Sequence, residues 1–186
     1  MHTLSRNLSS FVAVLAVALL FPATTRAQAS LTSVHAAEQS LRADRLDRQA
    51  ATYEQTDWSM LEKAAGLRFE AARIRAAEDP KASMSFVWAA RDRYYLGDTM
   101  TACRLMTTAG ERALAIGDVL GAVKAFTDAA YIAAELRDGE RVSELVSRAR
   151  LLSYSPMLTD DQRTQVRSML ASTTEKGTSV ASADRR

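Results

Sequence analysis

Between Glu78 and Ala149 the apolar and polar positions of this chain recur every 20 residues. Counting from Glu78, Asp98, Asp118 and Asp138, the fourth position onward is Ala82, Ala102, Ala122 or Val142. The eighth is Phe86, Met106, Phe126 or Val146, and the eleventh is Ala89, Ala109, Ala129 or Ala149. At ~100° per residue these offsets point within about 60° of one another, so they form one stripe along one side of a helix. The alanines let neighbouring backbones approach, while the larger residues act as knobs that fill the space beside them. A period in this range predicts stacked units of one helix and one turn, each burying its apolar stripe against the next.

The rest of the chain predicts helices as well. Ala, Leu, Arg and Glu dominate and β-branched runs are absent after the N-terminal segment, which favours helix over strand. A first helix is expected from Ser33 to Glu54, and a second after Thr56 or Asp57. A third should open at Asp79-Pro80 and end near Tyr95, because Asp accepts from orphan backbone donors and Pro is tolerated at the first helical position. Gly97-Asp98 and Gly117-Asp118 each read as a left-handed glycine closing one helix and an aspartate capping the next. So short a connection makes the helices antiparallel neighbours. A sixth helix is expected from Asp138 to Leu152, and Thr159-Asp160-Asp161-Gln162 has the Thr-x-x-Gln capping box of a seventh. The fold class expected is all-α, a short solenoid of antiparallel helical hairpins with about seven helices. From Ser172 onward Ser, Thr, Gly and charges prevail, which reads as a disordered tail over 172–186 and bounds the helical domain at 30–171.

The half-unit Gly117-Asp118, Ala122, Phe126 and Ala129 resembles the second helix of the tetratricopeptide family, and Gly97-Asp98, Ala102, Met106 and Ala109 follow the same offsets. The resemblance covers roughly residues 80–150. It departs from the family in lacking the tryptophan and leucine of the first helix and the closing proline. Two 20-residue units also make a hairpin of 40, longer than the family's repeat of about 34. The resemblance implies a scaffold that offers its surface to a protein or peptide.

Residues 1–29 carry His2 and Arg6, an apolar run from Phe11 to Phe21, Pro22, and a small-residue site at Ala27-Gln28-Ala29 before Ser30. That is the pattern of a secretory signal cleaved after Ala29, its apolar run about half the roughly 20 residues of a membrane-spanning helix. Retention as a membrane anchor is the alternative. Cleavage removes Arg6 and Arg26 and no acids, so 24 basic residues become 22 against 22 acidic. A neutral mature chain with no basic patch argues against nucleic acid. Export with one cysteine excludes an internal disulfide framework.

Candidate chemistry is sparse. His35 and Cys103 stand outside any nucleophile or zinc pattern, so no catalytic residue, metal or cofactor is expected. Cys103 reads as a small packed residue, with an intermolecular disulfide as the alternative. Asp160 and Asp161 read as helix N-terminal charges. The best candidate for partner binding is Arg73, Arg91, Arg93, Tyr94 and Tyr95, beside Arg75 and Trp88, because guanidinium and aromatic groups together favour interfaces. The bland reading makes Trp88 and one tyrosine core and the arginines a solvated face. The expected function is a non-enzymatic scaffold for protein or peptide partners, periplasmic or secreted, in a bacterial envelope. The other readings are a membrane-tethered bundle and an accessory helical domain of an envelope enzyme.

Overall fold

The computed structural model describes residues 33–183, and the expected signal and its cleavage site at Ala27, Ala29 and Ser30 lie outside them. The chain divides into two compact units, Met1–Gln39 and Ser40–Arg186. Within the first, residues 33–39 are helical, and His35 shares a hydrogen bond with Gln39 at 3.0 Å. All described residues outside turns are helical. α1 covers residues 33–56, and a single 3₁₀ turn, Trp58–Met60, leads into α2, Leu61–Ile74. There follow α3, Ala82–Tyr95; α4, Thr99–Ala115; α5, Val119–Glu135; α6, Gly139–Leu152; and α7, Asp160–Ala183.

Three turns share one geometry. At each, the aspartate N–H returns to a carbonyl five residues back: Asp98 to Arg93 at 2.9 Å, Asp118 to Ala113 at 2.9 Å, and Asp138 to Ala133 at 3.0 Å. The residue before the aspartate is left-handed, with φ of 80° at Gly97, 77° at Gly117 and 59° at Arg137. This is the Schellman closure, and Arg137 adopts it at a conformational cost that glycine avoids. Each aspartate then caps the next helix: Oδ1 of Asp98 accepts from Thr101 N–H at 3.2 Å, Asp118 from Gly121 at 2.8 Å, and Asp138 from Arg141 at 3.0 Å. Helices so joined pack as hairpins, α3 on α4, α4 on α5 and α5 on α6; α2 packs on α3 across the connection 75–81, and α7 returns against both α5 and α6.

The stripe positions supply the contacts. Ala82, Phe86, Ala89, Ala102, Met106, Ala109, Ala122, Phe126, Ala129 and Ala149 are buried, and Val142 and Val146 are half-buried against the same cluster. At the α4–α5 contact Gly110 receives the Phe126 ring so closely that a Cβ there would lie 2.6 Å from it. The Arg148 guanidinium of α6 covers that ring at 4.2 Å from its centroid.

Two boundaries differ from the sequence reading. α3 starts at Ala82 rather than at Asp79-Pro80. Asp79 instead makes a turn, its Oδ1 accepting from Lys81 N–H at 2.8 Å while its other carboxylate oxygen pairs with Arg75 at 3.0 Å. At the other end, helix continues past Ser172, where a tail was expected, to Ala183. Ser172 and Thr173 donate their hydroxyls to the Met169 carbonyl at 2.8 and 3.0 Å, which absorbs their polarity within the helix, and Thr173 is buried. The capping box forms: Thr159 N–H donates to Gln162 Oε1 at 2.9 Å, and Gln162 N–H to Thr159 Oγ1 at 3.3 Å.

Candidate functional site: a cleft above a buried ionic network

The buried faces of α1, α2 and α3 carry charge at stripe positions. On α1 the stripe is Ala43, Asp47, Ala50 and Glu54; on α2 it is Leu61, Ala64, Ala65, Arg68, Ala71 and Ala72, with Arg75 one step beyond the helix end; on α3 it includes Ser85, Ala89 and Asp92. Ion pairing is what makes this tolerable, since a buried charge without a partner is costly.

Arg75, 4% exposed, is the hub. Its Nε–H donates to Ser85 Oγ at 2.9 Å, Nη1 reaches Asp79 at 3.0 Å and Ser40 Oγ at 3.4 Å, and Nη2 reaches Asp44 at 2.7 Å and Asp47 at 2.8 Å. Five acceptors thus meet the five donors of one guanidinium. Ser85 relays the network by donating to Asp47 at 3.0 Å, and Lys81 joins at the surface through Asp44 at 2.8 Å. Two turns away Arg68 donates its Nε–H to Glu54 Oε1 at 2.5 Å and lies 4.8 Å from the Trp88 ring centroid. Trp88 is half-buried as the support of that arginine, and Arg75 belongs to the interior rather than to a solvated face.

Above this network, where α1 ends and α2 begins, a cleft of about 230 Å³ is lined by Glu54, Trp58, Leu61, Arg91, Asp92 and Tyr95. Trp58 and Tyr95 are 66% and 56% exposed, with ring centroids 5.8 Å apart. Trp58 is placed by its turn, which Asp57 caps by accepting from Ser59 N–H at 2.9 Å. The floor is a carboxyl pair. Glu54 Oε2 accepts from Arg91 Nη2 at 2.9 Å, and Asp92 Oδ1 lies 3.3 Å from the same nitrogen. Asp92 is wholly buried, and its Oδ2 has no hydrogen-bond donor among the described residues. The nearest cation to it, Arg68 Nε at 3.2 Å, has its one N–H turned to Glu54.

These surroundings split the two carboxyls. Burial and the adjacent Glu54 charge push Asp92 up to about 6, against the pull of Arg68 and Arg91. For Glu54 burial acts upward too, but the Arg68 hydrogen bond and the charges of Arg68 and Arg91 outweigh it and hold the group below its ordinary value. Lys81 and then Arg75 hold Asp44 low as well. Chemically the pair is held by arginines: Arg68 and Arg91 engage the two oxygens of Glu54, and Asp92 meets Arg91, whose side chain is itself 42% exposed.

Of the residues singled out from sequence, Arg91 and Tyr95 line this cleft. Tyr94 leaves it, donating its hydroxyl to Glu135 of α5 at 2.9 Å, and Arg93 is half-buried in the last turn of α3. Arg73 is exposed on α2 and does not line the cleft. Sequence reasoning passed over Glu54, Trp58, Arg68 and Asp92. For Glu54, Arg68 and Asp92 the signal was there, as charges spaced at helical intervals within alanine stripes. Cys103 is buried, its thiol 3.5 Å from the Ala129 carbonyl, and burial raises its pKa. A second groove, of about 590 Å³ between α6 and α7, is lined by Arg150, Tyr154, Arg163 and Arg167 among others, with Arg163 paired to Asp160 at 3.0 Å. Among the described residues no three metal-ligating side chains gather, and no helix is long and apolar enough to cross a membrane. Comparison of the chain with protein-family models, curated proteins and solved structures gives no match.

Proposed function

We propose that this chain is an exported, non-enzymatic helical-repeat scaffold of the tetratricopeptide-like kind, which holds a protein or peptide partner in the periplasm or outside a bacterial cell. The observation that carries the reading is the pair of exposed aromatic rings, Trp58 and Tyr95, at the rim of a cleft whose floor is anchored by three helices. Rigid aromatic groups over a fixed base lose little entropy on binding, which is why such groups concentrate binding energy at interfaces. The arginines that engage Glu54 and Asp92 favour binding over acid/base chemistry, since neither carboxyl is free to exchange a proton with a substrate. No nucleic-acid role is proposed, and after signal cleavage no membrane attachment.

A photo-crosslinking residue placed at 58 or at 95 in the native host tests this reading. The expected result is one discrete protein adduct from both positions and none from position 84, where Met84 is exposed at the far end of α3. Adducts of equal yield at position 84, or none at 58 and 95, would overturn it. The intact mass of the recovered protein tests export: a chain beginning at Ser30 is expected, and retention of residues 1–29 would replace the soluble scaffold with a tethered one.

A further inference from the structure

We infer that the Trp58–Tyr95 cleft takes a single basic side chain from its partner, whose cationic head replaces Arg91 on Glu54 and Asp92. This rests on the proposed scaffold reading and names the chemistry that the cleft selects. Three observations carry it.

Charge is the first. Five carboxylates, Asp44, Asp47, Glu54, Asp79 and Asp92, meet four cations, Arg68, Arg75, Lys81 and Arg91. One negative charge is left over, and of the two buried carboxylate oxygens that lack a hydrogen bond, Asp47 Oδ1 and Asp92 Oδ2, the second belongs to a residue that lines the cleft and has only the Arg68 charge beside it, at 3.2 Å. Replaceability is the second. Arg68 and Arg75 are locked in the interior, whereas the Arg91 side chain is 42% exposed and reaches Asp92 only at 3.3 Å, longer than a good charge-assisted bond. An incoming ammonium brings three donors on a flexible stem and can serve Glu54 and Asp92 together. The third is the walls. Trp58 and Tyr95 line the cleft with aromatic rings, a surface that attracts a cation, and Leu61 offers apolar surface for the methylene stem. At about 230 Å³ the cleft falls below the roughly 300 Å³ of the smaller drug-sized ligand pockets, so it suits one long side chain.

The test is calorimetric titration of the purified chain with three blocked heptapeptides that differ only at the centre, carrying Lys, norleucine or Glu. The Lys peptide is expected to bind about tenfold more tightly than the norleucine peptide, the factor a partly desolvated cation–π and ion-pair contact supplies. Arg91→Gln, at an exposed position, is expected to tighten Lys-peptide binding several-fold by removing the resident cation. Trp58→Leu is expected to weaken it about fivefold. Acidification from pH 7.5 to 5 should weaken it too, because Asp92, faced by Glu54 of α1, Arg68 of α2 and Arg91 of its own helix, then takes a proton. Equal or tighter binding of the norleucine or Glu peptide would overturn the inference and leave the cleft as a docking site of another chemistry. Weaker Lys binding in Arg91→Gln would overturn it as well, by showing Arg91 to be part of the grip. Binding of none of the three also overturns it, while the crosslinking result alone decides the scaffold reading.

Discussion

Single residues in this protein matter most where charge is buried. Arg75 joins three segments at once, α1, the connection before α3, and α3 itself, so its removal strands Asp47 and Asp79, while Asp44 keeps only Lys81. Arg75→Met is expected to destabilise the chain by about 3–5 kcal/mol, the usual consequence of breaking a buried pair from one side. Urea unfolding followed by circular dichroism measures it. Arg75→Lys should recover little of the loss, since an ammonium cannot reproduce the five-donor fork. Asp92 gives a pH signature. Its folded value, about 6, stands above the unfolded 3.8, so the folded state binds the proton more tightly. The stability this adds is full below the unfolded value and is lost as pH rises from about 4 through 6, to a limit of roughly 3 kcal/mol. Asp44, Glu54 and Asp79, held low, act oppositely: their contribution is present above the unfolded values and is lost on acidification below them. Comparison with Asp92→Asn separates the two. The stability difference, wild type minus variant, should grow as pH falls from 7 to 4, and a constant difference would refute the assignment.

At the scale of the element, turns and helix contacts obey rules that the chain states locally. The Gly-Asp turns, the aspartate caps and the Thr-x-x-Gln box were all legible, because each depends on residues within about five positions of one another. Gly117→Ala should cost about 1 kcal/mol, the penalty of a left-handed backbone on a residue with a Cβ, read as a lower melting temperature. The sixth helix shows the limit of the signal: Arg137 occupies the left-handed position that glycine marks at the other two turns. Gly110 was legible only as a helix-weakening residue. Its use lies across the interface, in the space given to Phe126, so Gly110→Ala should destabilise by about 1–3 kcal/mol from overpacking despite alanine's better helix propensity. A rise in stability in that variant would mean that the ring moves freely.

Over the whole molecule, α7 closes the row of hairpins. Leu158, Val166 and Leu170 bury themselves in the cluster that α5 and α6 share. A chain ended at Ser155 would expose that face, and self-association in size-exclusion chromatography is the expected outcome, with a clean monomer as the contrary one. The sequence by itself determined the helical class, the 20-residue stripe, the turns between α3 and α6 and the antiparallel sense of neighbours. Those properties follow from periodicity and capping within one or two turns of chain. Only the tertiary structure decided that α7 runs on to Ala183, that Arg75 lies inside, and that the candidate cleft is floored by Glu54 and Asp92. Arg75 and Asp47 are 28 residues apart in the chain, and Arg91 and Glu54 are 37 apart. No local pattern pairs such residues; packing α1, α2 and α3 together does, because each buried charge must find its counterion on another helix.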